Sequence, residues 1–160
     1  MHKTRNTLDK KVRKAITDIL AVRLADSQDL FYQIKQAHWA VRGPGFLSYH
    51  ELFDKVAEQV EDYSDDMAER IGQLGGIVAG TIAAVAKGST LKPYKLDLVD
   101  GRAHLEAVAD ALAEFGGKVR GDIDNAGKAG DADTADLFTE ISRGIDQSLW
   151  FVEAHLQAEK

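Results

Sequence analysis

The stretch from Gly76 to Gly101, GIVAGTIAAVAKGSTLKPYKLDLVDG, decides the fold. About 25 residues separate two helical patterns here, whereas neighbouring antiparallel helices need far fewer. The link therefore crosses the length of a bundle, and its small-residue run from Ala79 to Ala86 predicts a short helix on the way.

Working outward from this link, four segments space their apolar residues by three and four. The first holds Val12, Ile16, Ile19, Leu20, Leu24, Phe31 and Ile34 and ends near His38; the second holds Phe53, Ala57, Val60, Met67, Ile71 and Leu74. Beyond the link come Leu105, Val108, Leu112, Phe115 and Val119, then Phe138, Ile141, Ile145, Leu149, Val152 and Leu156. Each pattern spans several turns with helical period. Gly43-Pro44-Gly45 breaks the first helix from the second, Gly75-Gly76 stops the second, and Gly127 and Gly130 separate the third from the fourth. Asp131 and Asp133 are placed to favour the last helix's N-terminus, and Thr7 to cap the first helix. Two helical hairpins joined by one long crossover is the ferritin-like connectivity. The expected fold is thus all-α: a ferritin-like four-helix bundle with a long crossover between helices 2 and 3. One domain spans residues 1–160, with residues 1–7 as a short basic arm.

Composition narrows the chemistry. The chain has no Cys, which removes disulfides, thiolate metal sites and cysteine nucleophiles. No apolar run approaches the roughly 20 residues of a membrane span, and the first residues do not read as a signal peptide, so a cytoplasmic location is expected. Net charge is −6 but unevenly spread. Residues 1–14 carry six basic side chains (Lys3, Arg5, Lys10, Lys11, Arg13, Lys14) against Asp9 alone, an excess of five positive charges that leaves −11 on the rest. An acidic body attracts cations, and a basic end is a feature that touches nucleic acid.

On the second helix, His50, Asp54, Glu58, Glu61, Asp65 and Glu69 fall roughly 60–160° from the apolar stripe. His50/Asp54 and Asp65/Glu69 are each i,i+4 pairs, close enough to share one ion. The pairs cannot share an ion with each other within one helix. Fifteen residues separate His50 from Asp65, roughly 22 Å of axial rise, against metal–ligand bonds of about 2.0–2.3 Å. Either there are two poor half-sites, or a second copy of the helix runs antiparallel alongside, its two-fold axis midway between the pairs. That isologous arrangement makes two equal sites per dimer. His38, across the short turn, can join His50. Two imidazoles and three carboxylates without sulfur suit ferrous iron, manganese or zinc. Taken singly, a helix-end histidine is more often a cap and an acidic strip more often a solvated face. The lack of a Glu-x-x-His motif also argues against an ordinary intrachain di-iron bundle.

The residues His38-Trp39, Gly43, Phe46, His50-Glu51-Leu52-Phe53-Asp54, Asp65, Ala68-Glu69-Arg70 and Leu74-Gly75-Gly76 together resemble the Dps family, the DNA-binding proteins from starved cells. Gly88-Ser89-Thr90-Leu91-Lys92, Asp133-Thr134-Ala135-Asp136, and Leu149-Trp150-Phe151 with Glu153-Ala154-His155 extend the resemblance over nearly the whole chain from Asp18. It implies a hollow homododecamer with ferroxidase centres at two-fold interfaces. These centres bind two irons each, oxidise ferrous iron preferentially with hydrogen peroxide, and feed a ferric mineral inside. The implied ligands are His38, His50 and Asp54 from one subunit with Asp65 and Glu69 from its partner. Trp39 matches a tryptophan beside the centre that acts as a radical sink. Asp131 and Asp136, extended by Glu140, match an acidic iron-entry pore, and Glu58 and Glu61 are candidate mineral-nucleating groups.

The chain departs from that pattern in two places. Ala40 stands where Asn is common, with no ligand altered. The N-terminus is shorter than the lysine-rich tails that bind DNA, leaving Lys3 and Arg5 on an arm and Lys10 and Lys11 on the helix as candidate DNA contacts. Repetition around a cage adds avidity. Non-sequence-specific DNA binding and a nucleoid association are expectations on that basis. A structural DNA-compacting protein and a passive zinc- or manganese-binding cage are the competing readings.

Overall fold

A computed structural model describes residues 1–157, and these residues form four long helices and one short one. Residues 158–160, counted within the expected domain, lie outside the described residues. The helices are α1 Lys10–Ala40, α2 Phe46–Gln73, α3 Ile82–Gly88, α4 Gly101–Ala129 and α5 Ala132–Leu156. The first hairpin, α1–α2, packs beside the second, α4–α5, and the crossover carries α3 along α1. This is the all-α connectivity expected from the length of the link.

The caps explain the boundaries. Asp9, Asp100 and Asp131 accept backbone N–H bonds from Lys11, Ala103 and Thr134 at 2.7, 3.0 and 3.1 Å, satisfying donors that a first helical turn leaves free. Asp9 therefore caps α1 instead of Thr7, starting the helix at Lys10. Gly130 closes α4 with φ +93°, a backbone setting that favours glycine. Gly127 lies inside α4 and breaks nothing, because one positive-φ residue suffices for the turn. The short crossover helix begins three residues later than the small-residue run predicted, since Thr81 supplies its cap.

Ile16, Leu20 and Ile34 of α1, Phe53 and Met67 of α2, Leu112 and Phe115 of α4, and Phe138 and Ile145 of α5 are fully buried in one core. These are the positions that the 3-4 spacing marked. A polar knot lies within it. Arg23 is buried on α1, donating through Nε to Asp122 of α4 at 2.7 Å and through Nη1 to Asp26. Asp26 also accepts from the Thr90 backbone N–H at 2.6 Å, so the same carboxylate ties down the crossover. The two hairpins are thus joined through charge as well as packing.

Candidate metal centre

Val41 to Gly45 turns the chain back, and the turn sets the two histidines against each other. Gly43 and Gly45 adopt φ +90° and +80°, so only five residues separate α1 from α2. His38, in the last turn of α1, and His50, early in α2, stack with ring centroids 3.7 Å apart. His38 Nδ1 donates to the His50 carbonyl at 2.7 Å, and His50 Nδ1 donates to the His38 carbonyl at 2.8 Å. A carbonyl only accepts, so each Nδ1 must carry its proton. Each Nε2 then keeps its lone pair when the ring is neutral, the form in which imidazole ligates a metal.

Asp54 lies one turn further along α2. Its Oδ1 is 3.8 Å from His38 Nδ1 and accepts a hydrogen bond from Lys35 Nζ at 2.5 Å. The Lys35 ammonium holds the Asp54 carboxyl below the ordinary aspartate value, against a smaller opposing effect of burial. Lys35 also lies 5.7 Å from the centroid of the Trp39 ring, within cation–π range. Trp39 itself is 63% exposed, standing outside the core rather than filling it. Lys35 was not among the sequence-predicted residues. The available signal was its spacing, three residues before His38 and four before Trp39, which places all three on one helical face.

Asp65 and Glu69 are exposed on the C-terminal half of α2, away from the histidine pair. The structure therefore groups His38, His50 and Asp54 and leaves Asp65 and Glu69 apart. Among the described residues, no three His, Asp or Glu side chains are grouped so as to hold a metal ion within one chain. Glu58 and Glu61 are exposed between the two groups.

The acidic residues of α5 divide. Asp136 and Glu140 are exposed. Asp131 is 2% exposed, accepting from Thr134 Oγ1 at 2.6 Å and from Arg70 Nη2 at 2.9 and 3.0 Å. Its carboxylate is turned inward as a helix cap and joins α5 to the end of α2, which corrects the expectation that it lines a pore. Burial pushes the Asp131 carboxyl up, but hydrogen bonds from Thr134 and Arg70 outweigh this and hold it below the ordinary value. A depressed folded pKa contributes stability that is complete above the unfolded aspartate value of about 3.9. That contribution is lost as pH falls through the lower folded value. Asp131→Asn is accordingly expected to lower stability at neutral pH by about 1–3 kcal/mol and to flatten the acid limb. Urea unfolding between neutral and acidic pH measures both effects.

The N-terminal segment is not a free arm. The His2 N–H donates to the Gly75 carbonyl at 2.6 Å, and Arg13 donates to the carbonyls of Leu74 at 3.0 Å and Leu8 at 3.1 Å. Asn6 and Thr4 close local turns by accepting from Leu8 and Asn6 N–H groups. These bonds lay the segment against the end of α2. Lys3, Arg5, Lys10 and Lys11 remain exposed.

A helical pair crossed by a second pair, with histidines and carboxylates on facing helices, defines the ferritin-like class, and a sequence model of the ferritin-like domain matches residues 17–160. The chain is 42% identical over 156 residues to the DNA protection during starvation protein of Agrobacterium fabrum, covering 98% of this chain and 96% of that one. It superposes on a Mycobacterium smegmatis Dps structure with TM-score 0.93 and 31% identity, covering 99% and 95% of the two chains. A Vibrio cholerae Dps, described as a member of a broad superfamily of ferritin-like diiron-carboxylate proteins, shares the fold with TM-score 0.90 at 24% identity over 98% of each chain. The chain belongs to the Dps family of ferritin-like proteins. No helix among the described residues is long and apolar enough to cross a membrane.

Proposed function

We propose that this chain is a single-domain subunit of a cytoplasmic homododecameric cage that oxidises ferrous iron with hydrogen peroxide, stores the ferric product and thereby protects DNA. The carrying observation is the division of one helix face: His50 and Asp54, with His38, at one end of α2, and Asp65 and Glu69 at the other. An antiparallel second copy of α2 brings each half to its complement and forms two equal centres per dimer. Each centre would take two ferrous ions as substrate, held by His38, His50 and Asp54 of one subunit with Asp65 and Glu69 of the next.

Pairing the ions matters for the electron count. Two ferrous ions supply one electron each, and one peroxide with two protons accepts both to give two waters. No odd electron remains to make a hydroxyl radical. The fixed imidazole protons leave both Nε2 atoms ready for metal without prior rearrangement. Lys35 pairs with the Asp54 carboxylate beforehand and withdraws when a cation takes its place. Trp39, exposed beside Lys35, is the candidate sink for a stray radical. Asp136 and Glu140 are the remaining candidates for an acidic entry path, and Glu58 and Glu61 for mineral nucleation.

The reading is tested by anaerobic ferrous titration followed by peroxide. Saturation at two ions per subunit and faster turnover with peroxide than with oxygen are expected; absence of ferrous binding rejects it. Lys35→Met is expected to tighten ferrous binding. A partly exposed ion pair is worth about 0.2–1 kcal/mol, up to roughly fivefold in Kd. Calorimetric titration of the variant beside the parent measures the difference.

DNA compaction is the second reading, favoured by the basic first fourteen residues. The folded-back segment and the acidic remainder oppose it. Gel retardation across a salt series separates the two, because phosphate contacts weaken steeply as salt rises.

A further inference from the structure

The start of α2 carries a residue of the proposed centre yet lacks the usual means of being fixed. Gly45 is its N-cap and offers no side-chain hydrogen bond to the first turn. Beside its backbone bonds, this turn has the ring of Tyr49, immediately before His50, packed against it. A Cβ built at Gly101 would lie 2.6 Å from Tyr49 Cε2 and 2.8 Å from Cδ2, far inside ordinary contact of 3.4–4 Å. A Cβ built at Gly45 would lie 2.8 Å from Cζ and 3.0 Å from Oη. The ring thus lies across bare main chain at two places, the α1–α2 turn and the first residue of α4. The ring of His155, from α5, meets it edge-on at 5.4 Å. An isolated parallel bridge between Arg42 and Asp100 fastens the same two backbone segments.

Gly101 is buried, and its φ is not positive. Nothing in its backbone requires glycine, and Ala is the better helix former. The room occupied by the Tyr49 ring is the physical reason for glycine here. That contact places the α4 N-terminus directly against the first turn of α2. His50 follows one residue later, with its ring stacked on His38 and its Nδ1 bonded to the His38 carbonyl.

We propose that Tyr49, seated against Gly101, is a positioning residue that holds His50, and through it the His38–His50 pair, in register for iron. The proposal rests on the iron-centre reading above and concerns residues that are not themselves ligands. An added methyl at Gly101 forces the ring back by about 0.8 Å to reach ordinary contact. A displacement near 1 Å is enough to change rates by about 10²-fold in a preorganised site.

The test is anaerobic Co(II) titration of the full-length assembled protein, reading the ligand-field absorption of bound metal. Gly101→Ala is expected to keep the parent's assembled size, shift the absorption band and weaken Co(II) binding by about tenfold or more. Gly117→Ala is the control, on the same helix where an added Cβ meets open space, and is expected to match the parent. Tyr49→Leu removes the ring without adding bulk and is expected to weaken binding similarly, while Tyr49→Phe keeps the parent spectrum. Tyr49→Leu decides the matter if Gly101→Ala does not fold. Parent-like spectra and affinities in the folded Gly101→Ala or Tyr49→Leu proteins overturn the positioning role alone. A parent that binds no Co(II) overturns the centre itself, and this proposal with it.

Discussion

Asp54→Asn and Glu69→Gln, made together, are expected to abolish ferrous binding and to reduce peroxide-driven oxidation to the rate of iron free in solution. Asp54 and Glu69 lie on the two halves of the proposed centre, and each substitution removes an anchoring negative charge while keeping side-chain shape. Losing an outer-shell partner typically costs roughly 10–100-fold. Removing two direct ligands should exceed that. Stopped-flow oxidation and ferrous titration of protein of unchanged size measure the loss, and turnover within twofold of the parent contradicts the assignment. Separating the substitutions gives a sharper result. In a dimer of one Asp54→Asn chain with one Glu69→Gln chain, one shared centre receives both changes and the other receives neither. Co-refolding two inactive single variants should therefore restore about a quarter of the parent's centres, by the statistics of random two-fold pairing. Centres contained within single chains would give no recovery.

Arg23→Leu carries the largest expected effect on stability. Arg23 is buried between Asp26, which is fully buried, and Asp122, 6% exposed. Removing the guanidinium leaves two carboxylates inside the bundle without their cation. Breaking a buried pair in this way costs about 3–5 kcal/mol. The damage should reach the crossover as well, since Asp26 also accepts from Thr90. Urea unfolding at fixed protein concentration measures the loss. Adding Asp26→Asn and Asp122→Asn to Arg23→Leu should recover a substantial part of it. A loss below about 1 kcal/mol for Arg23→Leu alone means the knot is better hydrated than its burial implies.

The fold was legible because its main signals are local. Helix period, glycine punctuation and the length of the 76–101 link each depend on a short window, and together they leave few ways to pair the helices. His38, His50 and Asp54 were legible for the same reason, since a short turn brings the ends of two adjacent helices together. Contacts between distant residues were harder to read. Nothing local marks Arg70, 61 residues from Asp131, as the group that turns that carboxylate inward. Tyr49 and Gly101 belong to different hairpins, and neither is unusual for its own helix. Thr7 has the chemistry of a cap, but Asp9 does too, and it is the Asp9 carboxylate that accepts from the Lys11 N–H.

The orienting partners of His38 and His50 are main-chain carbonyls, each supplied by the opposite histidine. Among the described residues, no side chain accepts from either Nδ1. Drift elsewhere in the sequence cannot delete these acceptors, which are backbone atoms, and reaches the rings only by shifting the backbone that carries them, as at Tyr49 and Gly101. Lengthening the five-residue reversal between α1 and α2 by one residue would disturb both imidazoles at once, with every ligand still in place.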